Sequence, residues 1–172
     1  MFWGIDLGGT KIEGVVLAGR NADSVLARHR IDTEGNKGYT HVLERIRDLV
    51  DHLSGITGCF PEAIGIGTPG TLDPATGLLK NSNTLCLNGR PLDQDLEALL
   101  GVKVSMANDA NCFALAEYHL GVVPRSFPEA KIVFGVIMGT GVGGGIVIKG
   151  HILGGHHGIG GEWGHMFLDD SG

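Results

Sequence analysis

Short apolar runs open and close the chain, and apolar residues recur at helical spacing in its middle. Phe2–Leu7 and Lys11–Ala18 read as two strands joined by a glycine turn, and Ser24–Thr33 supplies a third. Tyr39–Leu53 carries Val42, Leu43, Ile46, Leu49, Val50 and Leu53 on one face and charges on the other, which predicts an amphipathic helix. Ala63–Thr68 is a short apolar strand that stops at Pro69-Gly70. Thr71–Leu79 is punctuated by Pro and Gly and predicts a turn or small hairpin. In Pro91–Leu100, Pro91 suits the first turn of a helix, Leu92, Leu96, Leu99 and Leu100 its core face, and Gly101 its C-terminal cap. Val102–Ala107 is a strand that runs into Asn108-Asp109, which open a helix reaching about Leu120. Val122–Glu129, with two prolines, reads as a linker, and two more strands begin near Ile132.

The last hairpin repeats the first. At a constant offset of 131, Gly4, Gly8, Gly14, Val16 and Gly19 fall on Gly135, Gly139, Gly145, Val147 and Gly150, and Ile5, Leu7, Val15 and Leu17 fall on apolar residues. Such turns bring backbone N–H groups close to a ligand and suit an anion, so two facing copies would hold a polyphosphate. Asp6 corresponds to Ile137, and a carboxylate in only one turn suggests a metal partner beside the phosphate. The repeat implies a duplicated α/β architecture with a ligand between the halves. Residues 131–172 supply only a hairpin and a loop of the second half, so the chain is expected to be the N-terminal part of a longer protein.

Composition narrows the function classes. The 172 residues are 42% hydrophobic and 19% charged, an ordinary globular balance with enough apolar residues for a core. A net charge of −6 argues against a nucleic-acid surface. Cys59, Cys86 and Cys112 are scattered and odd in number, which fits a reducing, cytoplasmic setting. No secretory signal is expected from the opening residues, and no apolar run approaches the roughly 20 residues of a membrane span.

Gly65–Gly70 and Gly139–Gly144 both match G-x-G-x-x-G, but neither leads into a helix, so a dinucleotide site is rejected, and no P-loop pattern occurs. Asn108-Asp109 can be a helix-capping pair. Compatibly with that first reading, it can present a carboxylate at the carboxyl edge of a sheet, able to take a proton from an attacking hydroxyl. The loop Gly154–His165 holds His156, His157, Glu162 and His165; Glu162 and His165 could bind adjacent hydroxyls of a polyol, and the histidines could hint at zinc without completing a tetrahedral set. Asn81, Asn83 and Asn88 crowd one loop, either as turn formers or as sugar ligands.

Four of these segments, in this order, resemble the ROK family of sugar kinases within the hexokinase and actin-like ATPase superfamily. Asp6–Lys11 resembles its first phosphate motif, Met138–Gly145 its second, Asn108–Asn111 its catalytic segment and Gly155–His165 its signature. The resemblance implies a ribonuclease H-like, actin-like α/β domain with a mixed central sheet over residues 1–121, a linker at 122–130, and the start of a second similar domain at 131–172. It implies Asp109 as general base, with Gly70, Asn83, Asn108, Glu162 and His165 lining the sugar pocket. Gly8, Gly9, Thr10 and Lys11, with Gly139, Thr140 and Gly141, would hold ATP phosphates, and Asp6 would act through Mg²⁺. In the family the counterpart of His165 also ligates a structural zinc, completed by downstream cysteines that this sequence does not include. This portion alone is therefore expected to be inactive, and the full-length protein to be a cytoplasmic homodimer with no nucleic-acid or membrane partner.

The expected activity is ATP-dependent phosphorylation of a hexose hydroxyl. Lys80–Leu92 looks most like the fructokinase and N-acetylhexosamine kinase branches and lacks a tryptophan expected of a typical glucokinase of the family, which leans the acceptor toward fructose or mannose. An N-acetylhexosamine kinase and a glucokinase are the alternatives within the family. A sugar-responsive transcription regulator without phosphotransfer needs a helix-turn-helix ahead of Asp6, for which this sequence has no room. An actin-like ATPase that only switches shape would not need the Glu162/His165 loop.

Overall fold

In a computed structural model of the chain, residues 1–21, 23–138 and 142–164 are described. Among them the chain forms two compact units, Met1–Asp109 and Ala110–Gly172.

The first unit is built on strands β1 (Phe2–Leu7), β2 (Lys11–Leu17), β3 (Val25–Asp32), β4 (Ala63–Thr68) and β7 (Lys103–Asn108), in the spatial order β3-β2-β1-β4-β7. The first three pair antiparallel, whereas β4 lies parallel to β1 and to β7, so the sheet is mixed. Its core is closed by α1 (Tyr39–Thr57) and α2 (Leu92–Leu100). Leu7, Ile12 and Val16 of the sheet are fully buried, as are Val42, Ile46, Val50 and Leu53 of α1 and Leu92 and Leu96 of α2. The helical spacing of Val42, Ile46, Leu49, Val50 and Leu53 is what turns one face of α1 onto the sheet.

Helix α1 runs four residues past its expected end. Gly55 is tolerated inside it, and the stop comes at Gly58, left-handed at φ 69°, whose N–H donates to the Ser54 carbonyl. Pro91 sits just before α2 rather than in its first turn, and Gly101 caps it as expected. The 71–79 stretch forms a small hairpin of β5 (Thr71–Leu72) and β6 (Leu79–Lys80).

In the second unit, β8 (Ile132–Met138), β9 (Val142–Ile148) and β10 (His151–Ile152) form a three-stranded antiparallel sheet. Its helix α3 (Asp109–His119) begins at the last residue of the first unit. The backbone of Ala110 and Asn111 lies so close to Gly145 that a Cβ there would sit 2.7 Å from the Ala110 carbonyl oxygen. Gly135 meets Ala114 in the same way, at 2.8 Å from its Cβ. The stretch read as a linker contains a short helix, α4 (Val122–Ser126); Pro124 is in its first turn, where its missing N–H costs no helical bond.

Candidate active site

Three parallel strands of the first unit end side by side. Asp6 of β1 pairs in register with Gly67 of β4, Gly67 with Ala107 of β7, and Thr68 with Asn108. The carboxyl ends of parallel strands are where α/β sheets place their ligand chemistry. This edge gathers Asp6, the Gly8–Lys11 turn, Gly70, Asn108 and Asp109.

The glycine turn is tight: the Gly8 N–H donates to the Lys11 carbonyl at 2.9 Å. A Cβ on Gly8 would stand 2.9 Å from that same oxygen, so the turn has no room for a side chain there. The turn is held by a residue that sequence reasoning missed. Thr33, fully buried, donates its hydroxyl to the Gly8 carbonyl at 2.8 Å and its N–H to the Thr10 carbonyl at 2.9 Å. The signal was present as the end of the third strand, but only the β2–β3 register, with Lys11 opposite Asp32, brings Thr33 to the turn. The Lys11 ammonium forms an ion pair with Asp32.

Asp6 is drawn upward from the ordinary carboxylate range, first by partial withdrawal from water and then by the negative charges of Asp109 and Glu13, with Arg30 opposing. Glu13 is itself ion-paired with Arg28 and Arg30. Asp6 and Asp109 lie in one another's field beside a turn of backbone amides, and carboxylate oxygens are the type of donor that a divalent cation takes. Asn108 is buried and donates its side-chain amide to the Gly70 carbonyl at 3.2 Å. Gly70 has φ 89°, and a Cβ there would lie 2.3 Å from the Lys80 carbonyl oxygen, so only glycine fits. Asp109 is exposed at the first residue of α3, where the helix N-terminus favours a negative charge.

The asparagine-rich loop separates into roles. Asn88 is a turn former: it accepts from the Ser82 N–H at 2.8 Å and donates to the Ser82 carbonyl at 2.9 Å. Asn81 takes a left-handed backbone, φ 59°. Asn83 is exposed and lines a cleft of about 530 Å³ between the Gly9-Thr10 turn, the Asp32–Asn36 segment and the Asn83–Cys86 loop. Glu34, also left-handed at φ 52°, is ion-paired with Lys37, His41 and Arg45 on the wall of this cleft.

In the second unit, the Glu162 carboxylate lies over the start of β9: a Cβ on Gly143 would be 3.6 Å from its Oε2. His156 and His157 touch each other edge to face, 4.7 Å between ring centres. Among the described residues no group of three or more His, Cys, Asp and Glu side chains is arranged to hold a metal ion. Gly139, Thr140, Gly141 and the zinc candidate His165 lie outside the described residues.

A mixed sheet with three antiparallel strands followed by two parallel ones, a glycine hairpin at its start and a strand-to-helix carboxylate at its edge define the actin-like ATPase fold. Within it the chain belongs to the ROK family, whose pattern matches residues 2–172. Among curated proteins it is 38% identical over 170 residues to an N-acetyl-D-glucosamine kinase of Yersinia pestis bv. Antiqua (strain Nepal516), covering 98% of this chain and 62% of that protein. Among solved structures it superposes on a ROK hexokinase from Thermus thermophilus with TM-score 0.83 and 35% identity, over 99% of this chain and 54% of that one. A ROK family glucokinase from Streptomyces griseus, in complex with glucose and AMPPNP, gives TM-score 0.79 at 29% identity, over 99% and 52%. The chain thus spans about half to three-fifths of the length of these relatives.

Proposed function

We propose that the full-length gene product carrying this sequence is an ATP-dependent sugar kinase with Asp109 as general base. The observation that carries the reading is the sheet edge itself, where Asp6, the amide-rich Gly8–Lys11 turn and the Asn108-Asp109 joint meet in one unit. Phosphoryl transfer asks mainly for positioning and charge neutralisation. Gly8, Gly9, Thr10 and Lys11 orient the phosphates of ATP through backbone donors, and Gly139, Thr140 and Gly141 are proposed to serve the same end. Asp6 holds Mg²⁺, which when bound supplies the neutralising charge at the phosphates. Asp109 accepts the proton from the acceptor hydroxyl as its oxygen attacks. Gly70, Asn83, Asn108, Glu162 and His165 bind the remaining hydroxyls. A structural zinc on His165 and a homodimer complete the proposal, in a cytoplasmic setting; among the described residues no helix is long and apolar enough to cross a membrane.

The acceptor is a hexose or an N-acetylated hexosamine. The name of the curated relative supports N-acetyl-D-glucosamine as the first acceptor to test, and the 80–92 segment supports fructose or mannose beside it. The test supplies Mg-ATP with N-acetyl-D-glucosamine, fructose, mannose or glucose to the full-length protein and records ADP formation. Strong turnover with one acceptor is expected. Silence across the panel, in folded and zinc-loaded protein, would overturn the kinase reading.

A further inference from the structure

The cleft beside the phosphate turn has features that the phosphate and base residues do not use. Thr84 lines it and is only 6% exposed, yet its hydroxyl has no hydrogen-bond partner. That hydroxyl faces the turn: a Cβ on Gly9 would lie 3.8 Å from it. A buried hydroxyl without a partner is a standing cost in the free protein. On the opposite wall Gly35 approaches Thr84 so closely that a Cβ there would be 2.8 Å from the Thr84 methyl. Both acidic residues of the wall are already ion-paired, Asp32 with Lys11 and Glu34 with Lys37, His41 and Arg45. The groups left to meet a ligand are the amides of Asn36 and Asn83, hydroxyls, and the apolar atoms of Leu85 and Cys86. The cleft is thus fitted to a neutral polar ligand.

We propose that this cleft is the acceptor-specificity subsite, in which the Thr84 hydroxyl and the Asn36 amide bind a neutral polar substituent of the sugar remote from the reacting hydroxyl. The substituent is a ring hydroxyl or an acetamido group, whose amide and methyl would match the mixed lining. The assignment rests on the sugar-kinase reading. Thr84 and Asn36 discriminate between acceptors and take no part in the chemical step.

Two measurements on the full-length protein test it. In the first, Thr84→Val and Asn36→Ala are assayed against N-acetyl-D-glucosamine, mannose, fructose and glucose. Each is expected to raise the KM of the preferred acceptor by about five- to tenfold, the worth of one hydrogen bond, with kcat and the KM for ATP near wild type. A loss confined to N-acetyl-D-glucosamine assigns the acetamido group; an equal loss across hexoses assigns a shared hydroxyl. Unchanged acceptor KM values in both variants would overturn the proposal. In the second, the wild-type protein is alkylated with iodoacetamide and the rate at Cys86 is followed by peptide mass spectrometry. A saturating acceptor from the panel is expected to slow Cys86 severalfold and leave the exposed Cys59 unchanged. If no sugar is turned over, the kinase reading fails by itself, and the cleft is then judged on Cys86: protection by a panel sugar sustains it, and equal rates with and without every sugar overturn it.

Discussion

The two glycine hairpins share a sequence pattern and differ in register and in the residue at the position of Asp6. In the first, Leu7 and Ile12 are paired and fully buried beneath α1. In the second, Met138 pairs with Val142. The register also differs. At the offset of 131 the counterpart of Ile12 is Gly143, yet Met138 pairs one residue earlier, with Val142. One feature is kept: Gly14 and Gly145 each admit a helix against the strand, α1 through Leu49 and Leu53 in one case and α3 through Ala110 and Asn111 in the other. The repeat therefore preserves close helix packing, while the proposed base and metal residues are concentrated beside the first copy. Asp6 stands there in the field of Asp109, and Ile137 takes its place in the second.

The largest expected effect tests that concentration. Asp109→Ala should lower kcat by about 10²- to 10⁴-fold, the usual worth of a general base, while acceptor binding by calorimetry persists. Near-wild-type turnover would remove Asp109 as the base. Next, Asp6→Asn should lower turnover by about 10²-fold or more, as loss of a charge-organising group does, and yet raise the melting temperature of the ligand-free protein. The sign follows from its raised pKa: ionised Asp6 opposes folding above that pKa, and stability is gained as pH falls through it toward 3.8. The Asn variant should lose this acid-side gain. A variant less stable than wild type at neutral pH would show that Asp6 is not repelled by its neighbours.

The glycines sharpen the comparison further. Gly145→Ala presses on backbone and should cost about 1–3 kcal/mol in urea unfolding. Gly14→Ala meets the ends of two leucine side chains, 2.6 Å from Leu53 Cδ1, and should cost less because these can shift. Equal costs would mean that the two helix contacts are equally rigid. The smallest effect concerns the segment that pins the first turn. Hydrogen bonds from Lys37 and His41 hold the Glu34 carboxyl down at about 2, against 4.5 unfolded, so its stabilisation is present above pH 4.5 and lost as pH falls toward 2. Glu34→Gln should flatten the melting-temperature profile across that window and leave it unchanged from pH 6 to 8.

Much of the first unit was legible because its signals are local. Short apolar runs bounded by glycine and proline turns located β1 and β4, and 3.6-residue periodicity located α1 and α2. The end of α1 was misplaced because Gly55 and Gly58 are the same residue in sequence, and only the second takes the left-handed backbone that stops a helix. Of the candidate site, Asp6, Asn108 and Asp109 stand out in the sequence at a turn and a strand end, whereas Gly70 enters through the family resemblance. Thr33, Thr84 and the Glu34 cluster do not stand out, since a threonine at a strand end or in a loop carries no periodic signature.

The sequence by itself determined most elements of the first unit, the repeated glycine pattern, the carboxylate present in only one copy, and the family, because these depend on residue type and spacing along the chain. Only the tertiary structure decided which glycine is structurally obligatory, which asparagine is a turn former and which lines a cleft, and that Thr33 pins the Gly8–Lys11 turn. Those properties depend on strand register and on contacts between residues far apart in sequence. A one-residue change in register, such as separates the two hairpins, alters them without altering the pattern that predicts them.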